Sequence, residues 1–354
     1  MRNAAVLKQR RPGGRLALLV LAGIGLSCAA WMVSSRAVPP SPTPPPASPA
    51  LEAPPPDRLA TLEYQAAFAP RDPELALHLA QAYADVNRVQ DALRQFQRAS
   101  QIEPNLLPAR VGQGQMWQKL QRPALAVDAF KWAVARLPGN AELHLELASA
   151  YLSLRDINAA LAHLHKAVKL APENAETHRA LASGYLITLT LERALIEAKR
   201  ATELGPNDVR NWTMLGNVYL SSNRMDEAAQ ALRRALVAKP DAPSPNVLLA
   251  RLLMETRPTP ASAREAYGLL VRALATDPFH AEALYLLGRY YVEADDFARA
   301  AVTLRRAREV DPESTRVMLL LGQALVRAGQ AEEGRKLIAR ALKITERTVD
   351  FRGL

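Results

Sequence analysis

The sequence predicts an all-α fold: an α-solenoid of about eight helix-turn-helix repeats, preceded by one N-terminal transmembrane helix and a proline-rich linker. Three observations predict it. Prolines recur every 34 residues over most of the chain, the segments between them carry apolar residues at helical spacing, and the N-terminal region contains one uncharged apolar run. A chain of 354 residues is long for one compact core and suits an extended array.

The first two elements are a basic cytoplasmic tail, residues 1–15, and a transmembrane anchor, residues 16–33. The anchor reads LALLVLAGIGLSCAAWMV and contains no charge. A helix of this length extends about 27 Å, close to the ~30 Å of a bilayer's hydrocarbon layer. Five basic residues precede it and no acidic one does. The positive-inside rule then predicts a single-pass protein of the bacterial inner membrane, with the repeats in the periplasm or outside.

Two other interpretations of this segment stay open. A cleaved signal peptide would release the protein into the periplasm, but its apolar core is usually shorter, about 7–15 residues. Lipidation of Cys28, the single cysteine, is the second, because Gly25-Leu26-Ser27-Cys28 resembles a bacterial lipobox with Gly25 at the position of a branched apolar residue. The length of the apolar run favours an uncleaved anchor.

Residues 34–56 form the predicted linker. Ten of the residues between 39 and 56 are prolines, which cannot donate backbone hydrogen bonds and favour an extended polyproline II conformation. The position between anchor and repeats indicates a semi-rigid spacer. The alternative is a proline-rich ligand for an aromatic-lined groove of another protein.

The net charge of +10 does not indicate a nucleic-acid-binding protein. Residues 1–38 hold six basic residues and no acid, so the rest of the chain carries only +4. There the two signs alternate as on a solvated helical surface, without a basic face. We therefore expect no nucleic-acid partner.

The repeat is set by prolines at a spacing of 34 residues, with one spacing of 38. They are Pro70, Pro104, Pro138, Pro172, Pro206, Pro240, Pro278 and Pro312. The segment 209–240 shows the pattern between them, with apolar or small residues at spacings of three, four and eight that place them on one face of each of two helices. The repeats are predicted to cover residues 73–346, with a capping half-repeat at 57–72 and a C-terminal tail at 347–354.

The pattern resembles the tetratricopeptide repeat family. In 209–240 its signature positions are occupied by Trp212, Leu215-Gly216, Tyr219, Ala228, Leu232, Ala235 and Pro240. The resemblance implies a right-handed superhelix in which the small residue at position 8 lets two helices approach closely. Positions are counted from residues 73, 107, 141, 175, 209, 243, 281 and 315.

Four repeats depart from this pattern. The fourth has Leu189 where a turn residue is usual, and the eighth has Gly334 where alanine is usual. The second has two glycines in its first helix, Gly112 and Gly114, and each costs about 1 kcal/mol relative to alanine, which predicts a soft spot. The sixth carries a four-residue insertion around Pro258-Thr259-Pro260, which is expected to lengthen the loop between its helices.

The resemblance also implies that the first helix of each pair lines a concave groove, with positions 2, 5, 9, 12 and 13 facing it. The predicted partner-binding residues are polar or aromatic side chains at positions 5 and 9: Gln81, Gln115, Asn217, Arg251, Tyr285, Arg289 and Gln323. Amides can bond a peptide backbone, and apolar flanks can hold an extended segment or one face of a helix. The alternative is that the apolar flanks only pack against neighbouring helices.

The family's carboxylate-clamp version is not expected, because its lysine and asparagine positions carry Leu77, Gln81, Gly112 and Glu146. The six histidines show no metal-ligand spacing, and His144 and His178 occupy position 4, a packing slot. No phosphate loop, serine elbow or carboxylate pair is present. The sequence therefore predicts no enzyme, cofactor, metal or small-molecule substrate.

The sequence thus predicts a membrane-tethered scaffold or assembly factor of the bacterial envelope that binds peptide or helical segments of other proteins. Two further hypotheses stay open: a holdase-like chaperone for exported chains, and a regulatory subunit of a membrane complex. They differ in the number of partners, one for a scaffold and many for a chaperone.

Overall fold

The computed structural model describes residues 57–256 and 259–350, with side chains up to residue 346. This part of the chain forms seventeen α-helices and contains no strand. The helices are α1 (Arg58–Phe68), α2 (Pro73–Asp85), α3 (Val89–Ile102), α4 (Leu107–Lys119), α5 (Pro123–Arg136), α6 (Ala141–Ser153), α7 (Ile157–Leu170), α8 (Ala175–Ile187), α9 (Leu191–Leu204), α10 (Val209–Ser221), α11 (Met225–Ala238), α12 (Pro243–Thr256), α13 (Pro260–Thr276), α14 (Ala281–Glu293), α15 (Phe297–Val310), α16 (Thr315–Arg327) and α17 (Ala331–Asp350).

The helices α2 to α17 pack as eight antiparallel hairpins in chain order, α2 with α3 through α16 with α17, and each hairpin packs on the next. This confirms the predicted all-helical solenoid of about eight repeats. Among the described residues each hairpin packs chiefly on its neighbours, so stability is shared between hairpins and the interfaces that join them.

A single helix, α1, precedes the first hairpin and packs against α2. The Tyr83 hydroxyl donates a hydrogen bond to the Glu63 carboxylate over 2.6 Å, and Arg88 lies 3.4 Å from the same carboxylate. Burial raises the pKa of Tyr83 to about 12, with the Glu63 hydrogen bond as the next cause. These contacts fix α1 on the end of the array.

The periodic prolines end the second helices. From α3 to α15, every second helix stops two residues before its proline, as α3 does at Ile102 before Pro104. The ring cannot continue the helix and restricts the residue before it, so the chain turns towards the next first helix. Asp72, Asn140, Asn174 and Asp208 then cap first helices by accepting from backbone N–H groups.

Position 8 is buried in all eight repeats, as expected for a close helix approach. A Cβ atom at Gly216 would lie 2.8 Å from Leu232 Cδ2, and one at Gly114 would lie 2.6 Å from the Phe130 ring. At these two repeats, glycine leaves room for a large side chain of the facing second helix.

In seven of the eight hairpins, the turn between the two helices has one residue with a left-handed backbone. The positive φ angles fall at the same repeat position, at Asn87, Gln121, Arg155, Leu189, Asn223, Asp295 and Gly329. Asn87, Asn223 and Asp295 are residue types that tolerate this conformation. The geometry is therefore imposed by the hairpin at Leu189 too, although a leucine side chain disfavours it.

The insertion in the sixth repeat does not lengthen the loop, contrary to expectation. The helix α12 ends at Thr256 and α13 begins at Pro260, which is the same three-residue separation as between α2 and α3. The extra residues lengthen the helices, mostly α13, which has 17 residues against 14 in the second helices from α3 to α11 and in α15. A capping box between Thr259 and Ser262 stabilises its new first turn.

No helix among residues 57–256 and 259–350 is long and apolar enough to span a membrane. The predicted tail, anchor and linker, residues 1–15, 16–33 and 34–56, lie outside the described residues. At the other end α17 continues to Asp350, four residues into the segment predicted as a tail.

Candidate functional site

The groove is formed by the first helices. Successive first helices contact each other at α2–α4, α6–α8, α8–α10, α12–α14 and α14–α16, and no contact of comparable extent joins successive second helices in the described part. The first helices therefore lie on the inner side of the array. All seven predicted binding residues lie on them, Gln81 and Gln323 exposed and the other five half-buried.

The cavity at the start of the groove lies between α2, α4 and α6 and has a volume of about 440 Å³. Gln81 and Gln115 line it together with apolar side chains such as Leu77 and Val111. Gln81 donates to Asp85 over 2.9 Å, and Gln115 donates to Glu146 of the next repeat over 2.7 Å. Two of the predicted amide side chains are thus already hydrogen-bonded to carboxylates of the protein itself.

A second cavity of about 420 Å³ lies between α8, α10 and α12 and includes Asn217. Its lining also carries three basic residues, Arg179, Arg210 and Lys239. They were not among the predicted site residues. Lys239 follows the end of a second helix, whereas Arg179 and Arg210 occupy positions that were predicted to face the groove. Basic residues at groove-facing positions 5 and 2 of two adjacent repeats, Arg179 and Arg210, were the sequence feature that could have indicated this cavity.

Two smaller cavities, each of about 310 Å³, continue the groove. Arg251 lines one with Glu255, and Gln323 lines the other with Phe297. Tyr285 and Arg289 lie outside these four cavities: Arg316 covers the Tyr285 ring at 4.6 Å, and Arg289 Nε lies 3.1 Å from Glu293. The structure therefore spreads the predicted residues along the groove.

The apolar residues at positions 5 and 12 pack against the core and also keep exposed surface. Leu145, Leu186, Leu220 and Leu319 pack against the buried core and remain half-exposed. A partner segment could bury their exposed remainder, and burial of apolar surface contributes about 25 cal/mol per Å².

Position 4 has a structural role. In four successive repeats its side chain contacts the carbonyl of the proline six residues earlier through a ring or amide nitrogen. These side chains are His144, His178, Trp212 and Asn246, which pair with Pro138, Pro172, Pro206 and Pro240. A proline-terminated helix leaves unpaired carbonyls, and these donors satisfy one of them per repeat.

The histidines form side-chain pairs. His144 Nδ1 lies 2.8 Å from His163 Nδ1, and the other nitrogen of His144 lies 3.2 Å from the Pro138 carbonyl oxygen. A carbonyl can only accept, so His144 carries its proton on Nε2 and His163 donates from Nδ1. His178 contacts Glu197 at 2.6 Å. Among the described residues no group of three or more His, Cys, Asp or Glu is placed to hold a metal ion.

The carboxyl groups with a lowered pKa belong to ion pairs on the surface. Hydrogen bonds from Arg88, Arg210 and Arg224 lower the pKa of Asp91, Asp208 and Glu227, respectively. Each pair is partly exposed and joins residues of one turn or cap. The surface offers hydrogen bonds, charge and apolar area, which suit binding.

The comparisons with known proteins agree with this geometry. The Cytochrome c-type biogenesis protein H TPR domain model matches residues 201–303. A general tetratricopeptide repeat model matches residues 119–184 and 291–354. The chain is built from tetratricopeptide repeats. Proteins of this kind are typically binding scaffolds and not enzymes.

Solved tetratricopeptide-like structures share the fold. A tetratricopeptide repeat protein from Parabacteroides merdae is 15% identical with a TM-score of 0.56, and the match covers 72% of this chain and 98% of that one. The Cut9–Hcn1 hetero-tetramer of the APC/C is 15% identical with a TM-score of 0.59, and the match covers 81% of this chain and 56% of that one. The human IFIT1 dimer with m7Gppp-AAAA is 15% identical with a TM-score of 0.53, and the match covers 81% of this chain and 77% of that one. No curated protein matches the chain.

Proposed function

We propose that this tetratricopeptide repeat protein is a scaffold or assembly factor that binds peptide or helical segments of partner proteins in the groove of its first helices. The observation that carries the proposal is the row of four cavities along that groove, of about 310 to 440 Å³. Their linings combine apolar area with a few polar groups, which is the usual character of a peptide-binding surface.

Site-specific photo-crosslinking in cells tests the proposal. A photo-reactive amino acid replaces Gln115 or Asn217 in the groove, and Lys169 or Glu203 on exposed faces of second helices serves as the matched control. We expect crosslinked partners from the groove positions and few from the controls. Equal yields from both faces, or none from the groove, would contradict groove binding.

The same experiment separates a scaffold from a holdase-like chaperone. Mass spectrometry of the crosslinked bands is expected to identify one or two recurrent partners. Many unrelated exported chains, each at low yield, would support the chaperone instead. A partner that is an enzyme of a membrane complex would support the regulatory subunit.

We further propose that residues 16–33 hold the protein in the inner membrane, with the repeats on its outer side. The support is the uncharged run of membrane-spanning length and the basic residues before it. The protein should stay with the membrane in alkaline carbonate, and Leu19→Arg with Ile24→Arg should release it. Release of the unaltered protein, or a mature chain that lacks these residues, would contradict the anchor.

A second candidate function is c-type cytochrome assembly, which the match at residues 201–303 favours. The repeats would then hold segments of proteins during that assembly. Deletion of residues 57–354 in the source organism should reduce the covalently bound haem of c-type cytochromes, measured by haem staining. Unchanged haem staining would leave the general scaffold role and remove this pathway.

A further inference from the structure

The cavity between α8, α10 and α12 concentrates positive charge in the middle of the groove. Arg210 and Lys239 are exposed on its lining and Arg179 is half-buried, whereas Ala242 and Pro245 are buried at its base. A ligand in this cavity would therefore meet cationic side chains around a small apolar surface. The neighbouring cavity, which contains Arg251, shares helices α10 and α12 with it.

The cations of this region differ in how far they are neutralised. Arg179 lies 2.9 Å from Glu176, and Arg210 lies 2.7 Å from Asp208. Within the described part of the chain, Lys239 forms no ion pair. The described residues likewise give Arg251 no carboxylate within 4 Å.

The basic groove residues of the last two repeats are paired instead. Arg289 pairs with Glu293, Arg316 with Glu282, and Arg327 lies 4.0 Å from Asp295. In this part of the groove, Lys239 and Arg251 therefore carry positive charge without a described carboxylate partner. They lie beside two arginines that keep further N–H donors available.

Two more observations point to an anionic ligand. Burial, followed by repulsion from Arg210, lowers the pKa of Arg179, so its charge is held partly away from water beside another cation. The half-buried Asn217 amide makes no hydrogen bond to any described residue. An incoming carboxylate would offset the repulsion and accept from this amide.

We propose that Arg179, Arg210, Lys239, Asn217 and Arg251 form a subsite for aspartate or glutamate side chains of the bound partner segment. The inference rests on the proposed function, because it assigns a chemical class to the occupant of the same groove. Side chains fit better than a chain end, since first helices continue on both sides of the subsite and the segment can run on in either direction.

Peptide selection on the purified full chain tests the subsite. The probe is a phage-displayed library of random 12-residue peptides flanked on both sides by linkers, so that no terminal carboxylate is offered. We expect the selected peptides to be enriched in Asp and Glu over the unselected library. Their binding should weaken as the salt concentration rises.

The deciding variant removes two positive charges from the subsite, and its control removes two charges elsewhere. Lys239→Gln with Arg251→Gln should weaken the selected peptides by about tenfold or more, the usual loss for a charge-assisted hydrogen bond. The control, Arg335→Gln with Lys343→Gln, removes two exposed charges from α17 and should change affinity less than about twofold. Lys239→Gln alone is the second variant, because this exposed residue is not needed for packing.

The outcomes separate the two proposals. Selected peptides without acidic enrichment, or peptides that bind the Lys239 and Arg251 variant as well as the wild type, would overturn the acidic subsite. Groove binding would then still be supported if a photo-crosslinker at Asn217 captured them. A failure to select any peptide that crosslinks to the groove would contradict both proposals.

Discussion

Gly112 lies directly against the ring of Phe96 in the preceding repeat, so closely that a Cβ atom at Gly112 would overlap the ring. The next residue, Gln113, donates from its amide to the Phe96 carbonyl oxygen over 3.0 Å. The second repeat was expected to be weakened by its two glycines. The structure shows that they make room for Phe96 and Phe130, so the loss in helix propensity is offset by aromatic packing.

Gly112→Ala is therefore expected to destabilise the protein. Overpacking costs about 1–3 kcal/mol, and the gain in helix propensity of about 1 kcal/mol offsets only part of it. The matched control is Gly268→Ala inside α13, where a Cβ atom would meet nothing within 4 Å, and this change should stabilise. Urea unfolding of both variants measures the difference, and the same sign for both would refute the explanation.

Leu189 is predicted to be a strained position. Its φ is 54° and its side chain is 74% exposed, so it has an unfavourable backbone conformation without the benefit of burial. Leu189→Asn should raise the free energy of unfolding by about 0.5–1 kcal/mol, because asparagine tolerates the left-handed region better. Leu154→Asn, at a partly exposed helix end with φ −79°, is the control and should give no gain. The idea fails if both respond alike in thermal unfolding.

The indole of Trp212 is predicted to stabilise the end of the preceding repeat. Its Nε1–H donates to the Pro206 carbonyl over 2.7 Å, and Trp212→Phe removes the donor while retaining an aromatic ring. A loss of about 1 kcal/mol in the free energy of unfolding is expected. Trp132→Phe is the comparison, because the Trp132 indole N–H has no acceptor among the described residues. The face of the Trp132 ring contacts the Arg136 guanidinium. An equal loss in the two variants would assign the effect to ring size.

Acid should weaken the third repeat through His163. Burial, then repulsion by His144, lowers the pKa of His163 from 6.5. The unfolded chain thus binds the proton more readily than the folded one, so the free energy of unfolding falls as the pH drops below about 6.5.

His163→Gln, whose amide can still donate to His144, should flatten this pH dependence between pH 7.5 and 5.5. His78→Gln, at an exposed position, should leave it unchanged. Urea unfolding at several pH values measures both. Parallel curves for the wild type and His163→Gln would show that other groups cause the acid sensitivity.

Helix pairing and helix ends could be predicted because their causes are local. The prolines at 34-residue spacing end each second helix, and the small residue at position 8 marks each close approach. The prolines of the insertion indicate a longer loop, whereas Thr259 and Ser262 form a capping box that adds a helical turn. The positive φ at Leu189 has no local signal, since the hairpin imposes it.

The sequence by itself determined the repeated hairpins and the placement of the candidate residues on first helices, because both follow from periodic side-chain chemistry. Only the tertiary structure decided which of those side chains are available to a partner. Gln115 is engaged by Glu146 and Arg289 by Glu293, whereas Lys239 and Arg251 have no carboxylate partner in the described part of the chain. An ion pair or hydrogen bond depends on distances between atoms of different turns and repeats, and a spacing along the chain does not fix those distances.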